Sequence, residues 1–293
     1  MTRTCCAVVR GEFKGPMFDL VEQSASAATE EDEAGVNVVD NTPRSLDIVK
    51  TFSPHPRVPY IGVKISLAAW IVSVMPMSIM STTYPSFWLA YVTHWGLVLT
   101  TAYIVLSALS AVYLAIRPPA NPDELKGGVG VLIKSTWALF AIALPAEIVI
   151  TILFWTLEYD ADDGVAYVSV MVHGIAMVLV MIDGFVLSRI PLRMWQFTLF
   201  ESFAALYFLW NVIHAYSGIG NPYAEGDTPT QDDDAIYGSI AWKNNTTGAV
   251  ILVLGVLFAA NPIIFMICRA LSRLLPRRLC EVDSGGALIA NAI

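Results

Sequence analysis

Six apolar stretches dominate the chain after residue 59, and short polar segments separate them. They lie at residues 60–81, 87–116, 131–157, 164–187, 195–216 and 248–270. A helix needs about 20 apolar residues to cross the roughly 30 Å hydrocarbon core of a bilayer, and each stretch reaches that length. The pattern therefore predicts an all-α fold, a polytopic membrane bundle of about six transmembrane helices.

The segments that flank this domain, which we place at residues 60–275, have a different composition. Residues 1–59 contain the acidic run 30–33 and the proline-punctuated segment 53–56, with too few clustered apolar residues to build a core. We predict a disordered cytosolic tail at 1–59 and a second cytosolic tail at 276–293. No cleaved signal peptide is predicted, because the first residues lack an apolar core of signal length.

The distribution of lysine and arginine predicts the orientation of the bundle. The first and third connections between spans contain neither residue, and the fifth, at 217–247, has Lys243 alone. The second and fourth connections and the segment after the last span are basic, with Arg117, Lys126, Arg189, Arg193, Arg269, Arg273, Arg277 and Arg278. The positive-inside rule then places both termini in the cytosol.

The fifth connection also carries the N-x-T sequons of the chain, which overlap at Asn244 and Asn245. Such acceptors are glycosylated on the lumenal or extracellular side, which agrees with the predicted orientation. We therefore expect a multipass protein of the endomembrane system or the plasma membrane, with Asn244 and Asn245 as glycosylation candidates.

Composition supports a membrane solvent and excludes several function classes. Hydrophobic residues make up 56% of the chain and charged residues 14%, the net charge is −8, and the mean hydropathy is +0.60. No nucleic-acid partner is implied by this charge. No phosphate-binding loop, dinucleotide fingerprint or zinc spacing occurs, so we predict neither a cofactor nor a metal.

Polar side chains inside the apolar stretches are the candidate functional residues, because an ionisable group in the bilayer is costly unless it is paired or faces water. Counted inward at about 1.5 Å per residue, Thr93, Glu147, His173 and Asn211 share one layer in the outer half. His214 lies one turn outward of Asn211 on nearly the same face. Asp183 and Glu201 form a sparser layer in the inner half.

A hydroxyl and an imidazole at one depth can act as nucleophile and general base on an acyl carbonyl. Thr93 and His173 are the candidate catalytic pair, and the side chains that could orient them or contact substrate are Glu147, Asn211, His214 and Asp183. Structural roles stay open for each of them. Thr93 can bond back to its own helix, His173 can bridge helices, and Asp183 can pair with Arg189 or Arg193 at the interface.

Several motifs resemble the superfamily of androgen-induced membrane hydrolases and rolling-stone proteins. They are residues 91–97 (YVTHWGL), 173–183 (HGIAMVLVMID) and 207–214 (YFLWNVIH), with further similarity at 144–145, 154–155, 159–160 and 237–248. The similarity covers roughly residues 60–275, and the motifs stand in the same order with comparable spacing. The local sequence at the threonine, Thr-His-Trp-Gly, is closer to the rolling-stone branch.

The resemblance implies two different functions. In the hydrolase branch a threonine and a histidine that match Thr93 and His173 cleave fatty acid esters of hydroxy fatty acids, although the acid ten residues after the histidine is usually glutamate and here is Asp183. The rolling-stone branch is associated with the fusion of muscle precursor cells.

We therefore consider three hypotheses for the function. The first is an intramembrane lipid-ester hydrolase whose partners are membrane lipid and a long-chain acyl ester. The second is a non-enzymatic protein of membrane organisation, adhesion or cell fusion that depends on its outer loop. A proton-coupled transporter using Glu147, His173 and Asp183 is the third, although no internal repeat supports it. Protein partners are not indicated by the sequence.

Overall fold

The computed structural model describes residues 57–117, 128–223 and 235–274, and these parts are helical without a strand. Residues 1–56 of the tail predicted at 1–59 lie outside the described residues. Residues 57–59 belong to the first helix, which begins at Arg57. The tail predicted at 276–293 lies outside them, as do Lys126, Arg277 and Arg278.

Each of the six predicted apolar stretches is a helix. They are α1 (Arg57–Ser81), α2 (Val92–Ile116), α3 (Gly128–Leu153), α4 (Tyr167–Leu187), α5 (Phe197–Ser217) and α6 (Thr246–Leu274). Five of them, α1 to α4 and α6, are long and apolar enough to cross a membrane, which confirms a multipass membrane protein.

Helix α5 is not among those five, because Glu201, Asn211 and His214 lower its hydropathy. Its 21 residues nevertheless extend about 32 Å at 1.5 Å per residue, which matches the hydrocarbon thickness. A sixth crossing by α5 and the cytosolic placement of both termini stay predictions. Below, the end of the bundle at which α2 begins is called the outer end, after the predicted orientation.

Helix α3 is the centre of the bundle and contacts α2, α4, α5 and α6, while α1 packs on the far side of α2. Among the hydrophobic clusters of the described residues, one lies mainly among α1 to α4 and another among α3, α5 and α6. Glycines allow the close approaches on both sides of α3. A Cβ at Gly96 would lie 2.7 Å from Ile150, and one at Gly184 would lie 1.9 Å from the ring of Phe140.

In the described parts of the chain, four wide π turns interrupt or end the regular helices. They lie at Phe154–Glu158 after α3, at Met171–Ile175 and Ile182–Leu187 within α4, and at Val256–Ala260 within α6. In α6 the turn precedes Pro262, which lacks the N–H that a regular helix would use. Turns of this kind re-aim side chains and often occur at functional sites. Here they carry Phe154, Glu158, His173 and Asp183.

Aromatic rings cover the outer end and fasten the described parts of the fifth connection to the bundle. Tyr223 packs against Tyr84 and Tyr91, and its hydroxyl forms a hydrogen bond with Thr82. Tyr237 packs edge to face on Tyr91, with ring centroids 5.5 Å apart. This connection is therefore part of the folded domain where the structure describes it.

Candidate functional site: a lateral crevice and a polar cavity

Thr93 lies in the first turn of α2, is 8% exposed, and lines a lateral crevice between α2, α3, α5 and α6. The crevice is narrow, with a cavity volume of about 80 Å³. Its walls are mainly apolar and include Ala146, Val149, Ile150, Phe200, Phe203 and Leu252. Its polar lining consists of Thr93, Glu158, Tyr207, Tyr237, Ser239 and Asn261. No lysine, arginine or histidine of the described chain lines it.

The hydroxyl of Thr93 lies within hydrogen-bonding reach of Tyr237, which comes from the outer loop. The Tyr237 oxygen accepts the backbone N–H of Val92 at 3.1 Å and also interacts with Tyr207. Tyr207 in turn donates to the carbonyl of Ala90 at 3.1 Å. Burial raises the pKa of Tyr237 well above its ordinary value, so the phenol stays protonated at neutral pH and can donate a hydrogen bond.

Glu158 and Ser239 add a second polar pair to the crevice. Glu158 ends the π turn after α3, and Ser239 lies in a short 3₁₀ helix of the outer loop, Gly238–Ile240. The Ser239 hydroxyl donates to the Glu158 carboxylate. The crevice thus combines long apolar walls with a cluster of hydroxyls and one carboxylate, which suits a molecule with an apolar chain and a small polar group.

His173 lies on a π turn of α4 and is 9% exposed. Its ring stacks on Phe154 with the centroids 3.5 Å apart and the planes 2° from parallel, and the indole of Trp155 donates to its backbone carbonyl at 3.0 Å. Its Nδ1 is buried and has no hydrogen-bond partner in the described chain. These contacts hold the ring in one orientation.

His173 lines a different space, here called the polar cavity, at the outer ends of α1 and α4. This cavity has a volume of about 340 Å³. Its polar lining consists of Ser78, Ser81, Thr82, Thr83, His94, Ser169, His173 and Tyr223. His94 stacks on Trp88, its Nδ1 bonds the Trp88 carbonyl, and it interacts electrostatically with His173. The two histidines therefore face one cavity.

The structure does not bring Thr93 and His173 together. Thr93 lines the lateral crevice and His173 lines the polar cavity, and no hydrogen bond joins their side chains where the chain is described. His94, which follows Thr93 about 100° around the helix, is the residue of α2 that lines the polar cavity together with His173. Catalysis by the pair stays a prediction.

The other three residues of the predicted outer layer tie elements together. Glu147 is buried and accepts a hydrogen bond from Thr100 at 2.7 Å, which joins α3 to α2. Asn211 accepts the indole N–H of Trp242 at 2.6 Å, which joins α5 to the outer loop. His214 is buried and packs its ring edge against Phe87.

Asp183 belongs to a buried ionic cluster in the inner half rather than to the interface. Lys64 Nζ donates to Asp183 Oδ1 at 2.7 Å, to Ser107 at 2.6 Å and to Ser188 at 2.7 Å. Asp183 Oδ2 accepts from Tyr103 and Ser107, both at 2.7 Å. The prediction that Asp183 pairs with Arg189 or Arg193 at the interface is therefore wrong, because its charge partner is Lys64. The sequence signal was a single lysine inside the first apolar stretch.

The two sequon asparagines are exposed at the start of α6. Asn245 caps this helix, because its side-chain oxygen accepts the N–H of Gly248 at 3.0 Å.

Among the described residues no group of three or more histidine, cysteine, aspartate or glutamate side chains could hold a metal ion. The residues that sequence reasoning missed are Tyr207 and Tyr237, whose only signal was their place in the similar motifs.

A family model described as Protein rolling stone matches residues 58–288, which is most of the chain. No curated protein matches the chain. No solved structure matches it either.

Proposed function

This chain belongs to the rolling stone family, and we propose that it is a non-enzymatic membrane protein that binds the acyl chain of a membrane lipid in the lateral crevice. One observation carries the proposal: a mainly apolar crevice within the bundle has a cluster of hydroxyl groups in its lining. Lipid binding of this kind would serve the organisation of the membrane around the protein.

The walls of the crevice favour an acyl chain over an empty space. Side chains that border a void lose the dispersion contacts that a filled interior provides. Between transmembrane helices the molecule at hand to fill such a space is a lipid chain. Ala146 and Ala204 keep the space open because their side chains are short.

The polar lining of the crevice favours an uncharged ester or hydroxyl group on the bound lipid. The hydroxyls of Thr93 and Tyr237 can donate to an ester carbonyl, and no described cation lines the crevice to pair with a phosphate. Glu158 would repel an anionic head group. We therefore expect a neutral lipid with one long chain.

A pair of adjacent alanines on α5 provides a matched test. Ala204 lines the crevice and Ala205 is exposed on the same helix. Wild type, Ala204→Trp and Ala205→Trp would be purified and labelled with a photoactivatable long-chain monoacylglycerol, and the labelling would be quantified by mass spectrometry. We expect Ala204→Trp to lose labelling about tenfold, because the indole occupies the crevice, and Ala205→Trp to match wild type. Equal labelling of all three proteins would refute the proposal.

Ester hydrolysis by Thr93 and His173 is the second candidate function. One observation favours it: both residues lie at the outer end, and each lines open space there. The assay would compare wild type, Thr93→Ala and His173→Ala on a panel of lipid esters, with Thr101→Ala on the same helix as control. Loss of turnover in the first two variants alone would support hydrolysis. Unchanged turnover in both would eliminate this mechanism and leave lipid binding intact.

A further inference from the structure

We infer that the polar cavity binds a neutral polyhydroxylated group, carried by a lipid head group or by a free polyol. This site is separate from the lateral crevice, since only the crevice is lined by Thr93 and only the polar cavity by His94 and His173. Its described lining contains eight side chains that can form hydrogen bonds and none that carries a full charge at neutral pH when the imidazoles are neutral.

The size and construction of the cavity fit a bound molecule rather than a packing gap. Its 340 Å³ falls within the range of about 300–1,000 Å³ that is usual for ligand sites. Four separate segments build it: the end of α1 with the residues that follow it, His94 of α2, the beginning of α4, and Tyr223 of the outer loop. The hydroxyl of Tyr223 bonds Thr82, and its ring packs on Tyr84 with the centroids 4.9 Å apart, so the loop residue is held in place as a wall.

The two imidazoles offer complementary hydrogen-bonding atoms. The Nδ1 of His94 faces a carbonyl oxygen, which only accepts, so this nitrogen carries the proton and Nε2 of a neutral ring is an acceptor. The Nδ1 of His173 is buried without a partner, and an unpaired acceptor is better tolerated there than an unpaired N–H. The proton of His173 is therefore assigned to Nε2, which becomes a donor. One acceptor and one donor match a hydroxyl group, which is both.

The hydroxyl side chains extend this pattern and select against charged ligands. Ser169 and Thr83 line the cavity and can each donate and accept. Ser81 donates to the carbonyl of Ser78 at 2.9 Å and can accept from a ligand. No lysine or arginine among the described lining residues can pair with a phosphate, and no carboxylate can pair with an amine. A sugar, an inositol or a glycerol group supplies several adjacent hydroxyls without a charge.

The test measures binding to protein in phosphatidylcholine nanodiscs, because maltoside detergents carry sugar groups that would compete. Three radiolabelled probes are compared: a glucosyl lipid, soluble methyl glucoside, and phosphatidylserine as the anionic control. We expect the glucosyl lipid or the glucoside to bind at least about tenfold more tightly than phosphatidylserine. Binding by the glucosyl lipid alone identifies a lipid head group, and equal binding by both sugars identifies a free polyol.

A matched pair of serine variants tests the location. Ser169→Phe fills the polar cavity, whereas Ser73→Phe adds the same ring to an exposed position on α1. We expect Ser169→Phe to weaken sugar binding about tenfold and Ser73→Phe to leave it within about twofold. Thr83→Trp, at an exposed position on the rim, repeats the test if Ser169→Phe does not fold. Ala204→Trp should leave sugar binding unchanged.

Three results would overturn the inference: no sugar binding by the wild-type protein, equal binding of phosphatidylserine, or unaltered binding by both cavity-filling variants. Because Ala204→Trp fills only the lateral crevice and Ser169→Phe fills only the polar cavity, failure of one site leaves the other proposal standing.

Discussion

The inner and outer halves of the bundle both bury polar side chains, but they satisfy them in different ways. In the inner half Lys64 meets three oxygens and Asp183 accepts three hydrogen bonds, with both side chains fully buried. In the outer half Thr93 and His173 line open space, and one nitrogen of His173 has no partner in the described chain.

This contrast distinguishes polar groups that hold helices together from polar groups that border a cavity and can still form hydrogen bonds with a ligand. A buried charge is tolerated only when it is paired and its remaining hydrogen-bonding capacity is used, which is the condition of the ionic cluster. Side chains that border a cavity keep free capacity, and a bound molecule can use it. The ionic cluster of the inner half is therefore structural, and both proposed binding sites lie in the outer half.

The largest expected effect comes from breaking the ionic cluster. Lys64→Met removes the cation and leaves Asp183 buried without its charge partner, which should lower the free energy of unfolding by about 3–5 kcal/mol. The measurement is denaturant unfolding of the purified protein in detergent. Lys64→Met combined with Asp183→Leu should recover much of the loss, because no uncompensated charge remains. A mild effect of the single variant would contradict a purely structural role for the cluster.

A smaller effect is expected from the close contact between α3 and α4. Gly184→Ala would place a methyl group 1.9 Å from the fully buried ring of Phe140, and this overpacking should cost about 3 kcal/mol. Gly174→Ala on the same helix is the control, since no atom lies within 4 Å of its added Cβ. The comparison uses thermal unfolding. Equal melting temperatures for the two variants would show that the packing of the inner half can adjust to an added methyl group, which contradicts its role as the rigid half of the bundle.

Thr100→Val tests a buried hydrogen bond of the outer layer that joins two helices, as the ionic cluster does in the inner half. The variant keeps the shape of the side chain but removes the hydroxyl that donates to buried Glu147, so we expect a loss of about 1.5 kcal/mol. Thr101→Val provides the control, because its hydroxyl has no partner in the described chain. If Thr100→Val is neutral in denaturant unfolding, this hydrogen bond does not hold α2 to α3, and the carboxyl group of Glu147 is available for a functional role.

The smallest expected effect concerns the outer end of α6. Asn245→Ala removes the cap of this helix and should cost about 1 kcal/mol, whereas Asn244→Ala should have no effect on stability. Thermal unfolding of the unglycosylated protein measures both variants. Similar stability of the two would mean that the cap contributes nothing and that both asparagines serve only as modification candidates.

The candidate site was only partly predictable. The depth count placed Thr93 and His173 near the outer end, and both do line cavities there. The count could not assign them to one space, because a helix that is apolar on nearly all sides carries little information about its rotation. Thr93 and His94 are adjacent in the chain but point about 100° apart around α2, so Thr93 lines the crevice and His94 lines the polar cavity.

The sequence by itself determined the helices, their order and the membrane as their solvent, since about 20 apolar residues in a row have no other stable arrangement across a bilayer. Tertiary structure alone decided which polar groups meet. The pairing of Lys64 with Asp183 joins residues 119 positions apart, and the contact of Thr93 with Tyr237 depends on how the outer loop folds back. Hydrogen bonds between helices are short-ranged and directional, so they follow from the packed rotation of each helix and not from its hydropathy.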